Sequence, residues 1–117
     1  MGEIVEFDWM WRDEIYAHVR INRKTGEVLC EEYQDDVFLQ FLGKRPHTIE
    51  YVMKVFESRL FDRHRPDCDE MCAYWGVNGY NPYELCLKTH GVNTDDFSWI
   101  KWKGETLTWD DVKVRQD

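Results

Sequence analysis

The chain has 117 residues, a net charge of −8, and six residues each of Trp, Tyr and Phe. Hydrophobic residues make up 43 % and charged residues 32 %, a balance typical of a folded domain rather than a disordered chain. The negative charge argues against direct binding to nucleic acid, which requires cations to replace the counterions of phosphate. It is compatible with a protein partner that has a basic face. This length predicts a single domain over residues 1–117.

The beginning of the sequence, MGEIVEFDW, contains acids and no apolar run, so it does not predict a signal peptide. No stretch approaches the roughly 18 apolar residues of a membrane span. The sequence thus predicts a cytoplasmic protein. Because that compartment is reducing, the four cysteines are expected to be thiols rather than disulfides.

The first third of the chain predicts an antiparallel meander of three strands. In the first two strands, apolar residues occupy alternate positions: Val5, Phe7, Trp9 and Trp11, then Ile15, Ala17, Val19 and Ile21. A period of two places one face of each strand in a core. A loop at residues 23–26 ends in Gly26 and leads to a third strand that begins at Val28.

The middle of the chain predicts three to four short helices. Asp35-Asp36 is a candidate N-cap for a helix that includes Phe38 and ends at Gly43. The clearest helix follows Thr48, because apolar residues recur at helical spacing: Ile49, Val52, Met53, Phe56 and Leu60.

Two further helices and a return to strand complete the prediction. Asp67 with Glu70 three residues later resembles a capping box. Asn81 followed by Pro82 is a typical helix start, and that helix is expected to end at Gly91. Residues 97–102 and 107–109 alternate partly and predict a C-terminal pair of short strands. The order of meander, helices and strand pair predicts the α+β class.

Zinc binding is the sharpest chemical alternative. Cys68 and Cys72 are four residues apart on one expected helix, and Cys86 and His90 are four apart on the next. The pattern Cys-x3-Cys-x13-Cys-x3-His falls within the looser range of zinc spacings. Free cysteine is also among the most buried residue types, so we favour core thiols and expect no metal and no cofactor. No oxyanion loop accompanies Cys86 and His90, which leaves an enzyme as the least supported class.

Acidic pairs and tryptophans are the candidate partner-binding residues. Adjacent acids are often only helix caps or turn residues, but on a surface they steer association with a basic partner. Tryptophan is enriched at interface hot spots, and we expect one or two of the six to be exposed. The candidates are Glu31, Glu32, Asp35, Asp36, Asp95, Asp96, Trp99 and Trp102.

Several short segments in the second half resemble a pattern in small uncharacterised proteins of Gram-positive mobile elements and prophages, some of them encoded near HipA-type kinases. The segments are residues 80–84 (YNPYE), 88–91 (KTHG), 95–96 (DD), 99–100 (WI) and 107–111 (LTWDD). The resemblance spans roughly residues 56–113. In that pattern, aliphatic residues often fill the places of Cys68, Cys72 and Cys86, which weakens the zinc hypothesis.

Small acidic proteins of such elements are often inhibitors of host defence, and this chain is similar in type to anti-CRISPR proteins. The similarity implies a non-enzymatic binding protein, acting in the host cell if phage-encoded. It would inhibit a nucleic-acid-handling partner, such as a CRISPR nuclease, by occupying its basic surface. Two alternatives remain open: an accessory or antitoxin-like regulatory protein of a toxin module, and a small zinc-stabilised domain.

Overall fold

The computed structural model describes residues 3–114, which contain four strands and four helices. The elements are β1 (Ile4–Trp11), β2 (Glu14–Asn22), β3 (Val28–Glu32), α1 (Ile49–Ser58), α2 (Cys68–Tyr74), α3 (Pro82–Thr89), β4 (Ser98–Trp102) and α4 (Trp109–Val112). This mixture confirms the predicted α+β class. No helix within residues 3–114 has the length and apolar character needed to cross a bilayer.

The four strands form one antiparallel sheet in the order β3-β2-β1-β4. The predicted meander is confirmed, since β1 pairs with β2 and β2 pairs with β3. The turn between β2 and β3 depends on two features of the sequence. The side chain of Asn22 accepts hydrogen bonds from the backbone N–H groups of Lys24 and Thr25, and Gly26 adopts the left-handed conformation, φ 84°.

One face of the sheet packs against α1 and α3. Phe7 lies at the centre of this core, with its ring centroid 5.4 Å from that of Phe56 on α1 and 5.2 Å from that of Trp102 on β4. A smaller core, in which Cys68, Cys72, Val77 and Leu85 pack together, joins α2 to α3. We call the sheet surface that faces the helices the inner face and the opposite surface the outer face.

The prediction of a C-terminal pair of strands is wrong for the second strand. β4 is present, but its partner is β1, with Trp9 opposite Ile100. Trp109 begins helix α4 because the Asp111 carboxylate accepts a hydrogen bond from the Thr108 N–H at 2.7 Å and so caps a helical turn. Helix α4 covers one end of the outer face, where Met10, Trp99 and Trp109 form a separate buried cluster.

The helix starts expected at Thr48 and Asn81 are confirmed. The Thr48 hydroxyl accepts from the Tyr51 N–H at 3.3 Å, and the Asn81 side chain accepts from the Glu84 N–H at 3.0 Å. The capping box expected at Asp67 is wrong, because its carboxylate pairs with Arg65 at 2.9 Å instead of capping α2.

The helix expected after Asp35-Asp36 is replaced by turns at residues 37–39. The backbone N–H groups of Phe41, Leu42 and Gly43 donate to the Glu32 carboxylate rather than to carbonyls one turn earlier. A side chain at the end of β3 therefore takes the donors that a helix would use.

Candidate protein-binding surface

Trp99 and Trp102 are buried, so the expectation that they are exposed anchors is wrong. Trp99 is 0 % exposed, and its indole N–H donates to the carbonyl oxygen of Arg12 at 2.7 Å. Trp102 is 8 % exposed, and its indole N–H donates to the carbonyl oxygen of Cys86 at 3.2 Å. Although β4 is an edge strand, α3 covers its inner face and α4 its outer face.

Two of the six candidate carboxylates are committed to contacts within the fold. Glu32 accepts from three consecutive backbone N–H groups at 3.0, 2.9 and 2.9 Å. Asp96 forms a bidentate ion pair with Arg59, with N–O distances of 2.6 and 2.7 Å. Both carboxylates bind donors within the fold, so neither Glu32 nor Asp96 is a strong candidate for contact with a partner.

The other four candidate carboxylates, Glu31, Asp35, Asp36 and Asp95, are exposed. Asp95 lies in the loop before β4. Glu31, Asp35 and Asp36 lie in or just after β3, within six consecutive residues, and concentrate negative charge there. The predicted acidic surface is thus best represented by this one segment.

Phe38, which follows these acids, is the most exposed large hydrophobic residue in the described part of the chain, at 93 %. The sequence predicted that Phe38 is part of a helix, and this is wrong because the helix is replaced by turns. Val37 and Tyr33 beside it are also more than half exposed. We call residues 33–40 the Phe38 loop. A group of exposed apolar side chains in a segment that also carries carboxylates is typical of a protein-binding site.

Both ends of the Phe38 loop are tied to the fold. At its start, the Tyr33 N–H donates to the carbonyl oxygen of Tyr16 on β2 at 2.9 Å. The indole N–H of Trp9 donates to the carbonyl oxygen of Leu39 at 3.0 Å. Directly after the loop, Phe41 and Leu42 are buried, at 1 % and 2 % exposed. At the loop's base, the Gln40 side-chain amide donates to the carbonyl oxygen of Gln34 at 3.2 Å. Such anchoring lowers the conformational entropy that a partner would have to remove on binding.

A row of charged residues crosses the outer face of the sheet and reaches this acidic segment. Lys101, Asp8, His18 and Glu31 are register partners on β4, β1, β2 and β3, respectively. A hydrogen bond to Glu31 raises the pKa of Tyr33, the first residue of the Phe38 loop. The acidic segment is therefore continuous with the polar outer face.

His18 is bracketed by two carboxylates in this row. Its Nδ1 lies 2.7 Å from Asp8 Oδ1 and its Nε2 lies 2.9 Å from Glu6 Oε2. Because carboxylates only accept hydrogen bonds, the arrangement favours the imidazolium form, which donates from both nitrogens. The hydrogen bond to Asp8, with a further one to Glu6, raises the pKa of His18. With both ring nitrogens engaged, His18 is not placed to act as a general base.

The four residues of the zinc alternative lie in different surroundings. Cys68 and Cys72 pack in the small core between α2 and α3. The Cys86 thiol lies in the main core, 3.6 Å from the carbonyl oxygen of Phe56, and burial raises its pKa to about 12. His90 Nε2 lies 2.9 Å from Glu105 Oε2. Across residues 3–114, no three His, Cys, Asp or Glu side chains are grouped as metal ligands would be.

No protein-family model matches the sequence, and no curated protein or solved structure shows detectable similarity to it.

Proposed function

We propose that this chain is a non-enzymatic acidic binding protein that inhibits a nucleic-acid-handling partner by occupying its basic surface, as anti-CRISPR proteins do. The contact surface is the Phe38 loop together with Glu31. The observation that carries the proposal is the 93 % exposure of Phe38 on an anchored loop that also bears exposed carboxylates.

Phe38 provides the apolar part of the interaction. Transferring a phenylalanine side chain from water into a pocket of the partner stabilises a complex by about 2 kcal/mol. Such anchors dominate interfaces when the pocket encloses them. Because the loop is tied to Trp9 and to the buried Phe41, little of this free energy is lost to ordering the backbone.

The carboxylates provide steering and specificity. Glu31, Asp35 and Asp36 place three negative charges within the seven residues that precede Phe38, on a chain whose net charge is −8. A basic groove that binds nucleic acid attracts such a surface over several ångströms and accelerates association. Nucleases guided by RNA hold their heteroduplex in a positively charged channel, which makes them the partner class best matched to this chemistry.

The test compares two charge-neutralised variants of equal net charge. The loop variant carries Glu31→Gln, Asp35→Asn and Asp36→Asn. The control variant carries Glu50→Gln, Glu70→Gln and Glu84→Gln, three exposed acids on α1, α2 and α3. Binding to a purified CRISPR nuclease without guide RNA is measured by interferometry at about 50 and about 200 mM salt.

We expect the loop variant to associate about tenfold more slowly than the wild type and to show weaker salt dependence, whereas the control variant behaves like the wild type. Equal losses in both variants would mean that only net charge matters. Binding to a HipA-type kinase in the same panel, with no binding to any nuclease, would replace the nuclease proposal with the toxin-module alternative.

A further inference from the structure

A partly enclosed apolar cavity of about 170 Å³ lies on the inner side of the sheet, where β1 and β2 meet α1 and the start of α3. Val5 and Ile21, which are opposite each other in the sheet, form its floor. Ile49 and Met53 of α1 and the ring of Tyr83 contribute walls. An apolar cavity of about 150 Å³ is large enough to hold benzene, so this one has room for a single aromatic ring.

Arg23 adds a cation at the rim of this cavity. Its guanidinium carbon lies 5.2 Å from the centroid of the Tyr83 ring. Among residues 3–114 it makes no ion pair with a carboxylate. A guanidinium on an aromatic face keeps its edge N–H groups directed outward, and these donors match the two oxygens of a carboxylate.

We infer that this cavity binds a small aromatic monocarboxylate, with the ring inside the cavity and the carboxylate on Arg23. The volume sets the size of the ring, and the Tyr83 ring with the Met53 thioether suits an aromatic occupant. The single cation, on a chain of net charge −8, favours one negative charge on the ligand over two. The site is separate from the Phe38 loop and does not depend on the function proposed for it.

The probe is hydrocinnamate, compared with its neutral amide, hydrocinnamide. Binding is followed by methyl proton–carbon NMR, with the methyl groups of Val5, Ile21, Ile49 and Met53 as reporters. The variant Arg23→Gln removes the cation, and Lys24→Gln removes the neighbouring exposed charge as a matched control.

We expect saturable shifts at the four reporters with hydrocinnamate. The amide with wild type, and the acid with Arg23→Gln, should each bind about tenfold more weakly, whereas Lys24→Gln should match the wild type. Three results would overturn the inference: no saturation at these reporters, equal affinity for acid and amide, or equal behaviour of the Arg23 and Lys24 variants. Both residues lie in the exposed turn after β2; Arg23→Gln removes the contact of its guanidinium with the Tyr83 ring, and the comparison of acid with amide in the wild type tests the charge without changing that contact.

Discussion

Arg59 and Asp96 form a bidentate ion pair, with Nη1–Oδ2 at 2.6 Å and Nη2–Oδ1 at 2.7 Å. This ion pair joins the end of α1 to the segment before β4. Arg59 also donates to the carbonyl oxygens of Gly91 and Ser98, both at 2.8 Å. Its side chain is 9 % exposed. One buried guanidinium therefore holds together α1, the end of α3 and the edge strand.

Arg59→Lys should lower the free energy of unfolding by about 2 kcal/mol. A lysine ammonium cannot reproduce the planar fork that serves one carboxylate and two carbonyl oxygens, and some buried acceptors would lose their donor. Urea denaturation followed by Trp fluorescence measures the change.

The matched control is Arg63→Lys. Arg63 pairs with Glu57, but both side chains are exposed, 46 % and 41 %. Arg63→Lys should therefore lower the free energy of unfolding by less than about 0.5 kcal/mol. If both variants lost the same stability, the special role of Arg59 would be refuted.

Glu32→Gln should loosen the Phe38 loop. The amide of glutamine keeps one acceptor oxygen but loses the charge that strengthens three bonds to Phe41, Leu42 and Gly43. We expect amide hydrogen exchange at these three positions to accelerate about tenfold. The neighbouring Glu31→Gln should leave that exchange unchanged, and exchange unaffected by Glu32→Gln would contradict the anchoring described for the loop.

His18→Gln should destabilise the protein most at mildly acidic pH. The folded-state pKa of His18 is raised above 6.5, so its contribution is complete below that value and is lost as pH rises through the raised pKa. The pKa of Glu6 is lowered from 4.5, chiefly by its hydrogen bond to His18, so its contribution is lost as pH falls through the lowered value. The stability difference between wild type and variant should therefore be largest between 4.5 and 6.5.

The measurement is urea denaturation of both proteins across this pH range. In a protein that also carries Glu6→Gln and Asp8→Asn, the loss of stability caused by His18→Gln should depend little on pH, because the imidazolium has no carboxylate acceptor there. A difference that grew with rising pH in the wild-type background would refute the bracketed arrangement of His18.

The cysteines should behave as core thiols. Burial raises the pKa of Cys86 to about 12, and burial with the neighbouring Glu32 raises that of Cys30 to about 12. Both thiols should therefore react with a disulfide reagent at least about a hundredfold more slowly in the native protein than in urea. Treatment with a chelator should leave the melting temperature unchanged. A large drop in melting temperature on chelation would instead support the zinc alternative.

The elements that the sequence predicted well have local causes. The alternation in residues 5–9 and 17–21 and the caps at Thr48 and Asn81 act within a few residues, so they can be recognised in a short window. Met10 is buried on the outer face because α4 covers it there. A register shift between Trp9 and Met10 leaves Tyr16 of β2 without a partner on β1, and Ile15, which was expected on the buried face, is 47 % exposed. Such a bulge leaves no clear mark on the sequence.

The errors at the candidate surface have long-range causes. Trp99 is buried because α4 folds over the outer face, and the sequence did not show that residues 109–112 are helical rather than extended. Phe38 is exposed because Glu32 binds the backbone N–H groups nine to eleven residues along the chain. The acidic segment was visible in the sequence, but the exposed aromatic beside it was not.

The measurement that tests the central claim most directly is inhibition of target cleavage by a CRISPR nuclease, comparing Phe38→Ser with Tyr74→Ser. Tyr74 is the matched control, because it is 80 % exposed but lies on α2, outside the Phe38 loop. We predict that the wild type and Tyr74→Ser inhibit equally and that Phe38→Ser requires at least about tenfold more protein. Equal inhibition by all three proteins would show that the Phe38 loop is not the binding surface.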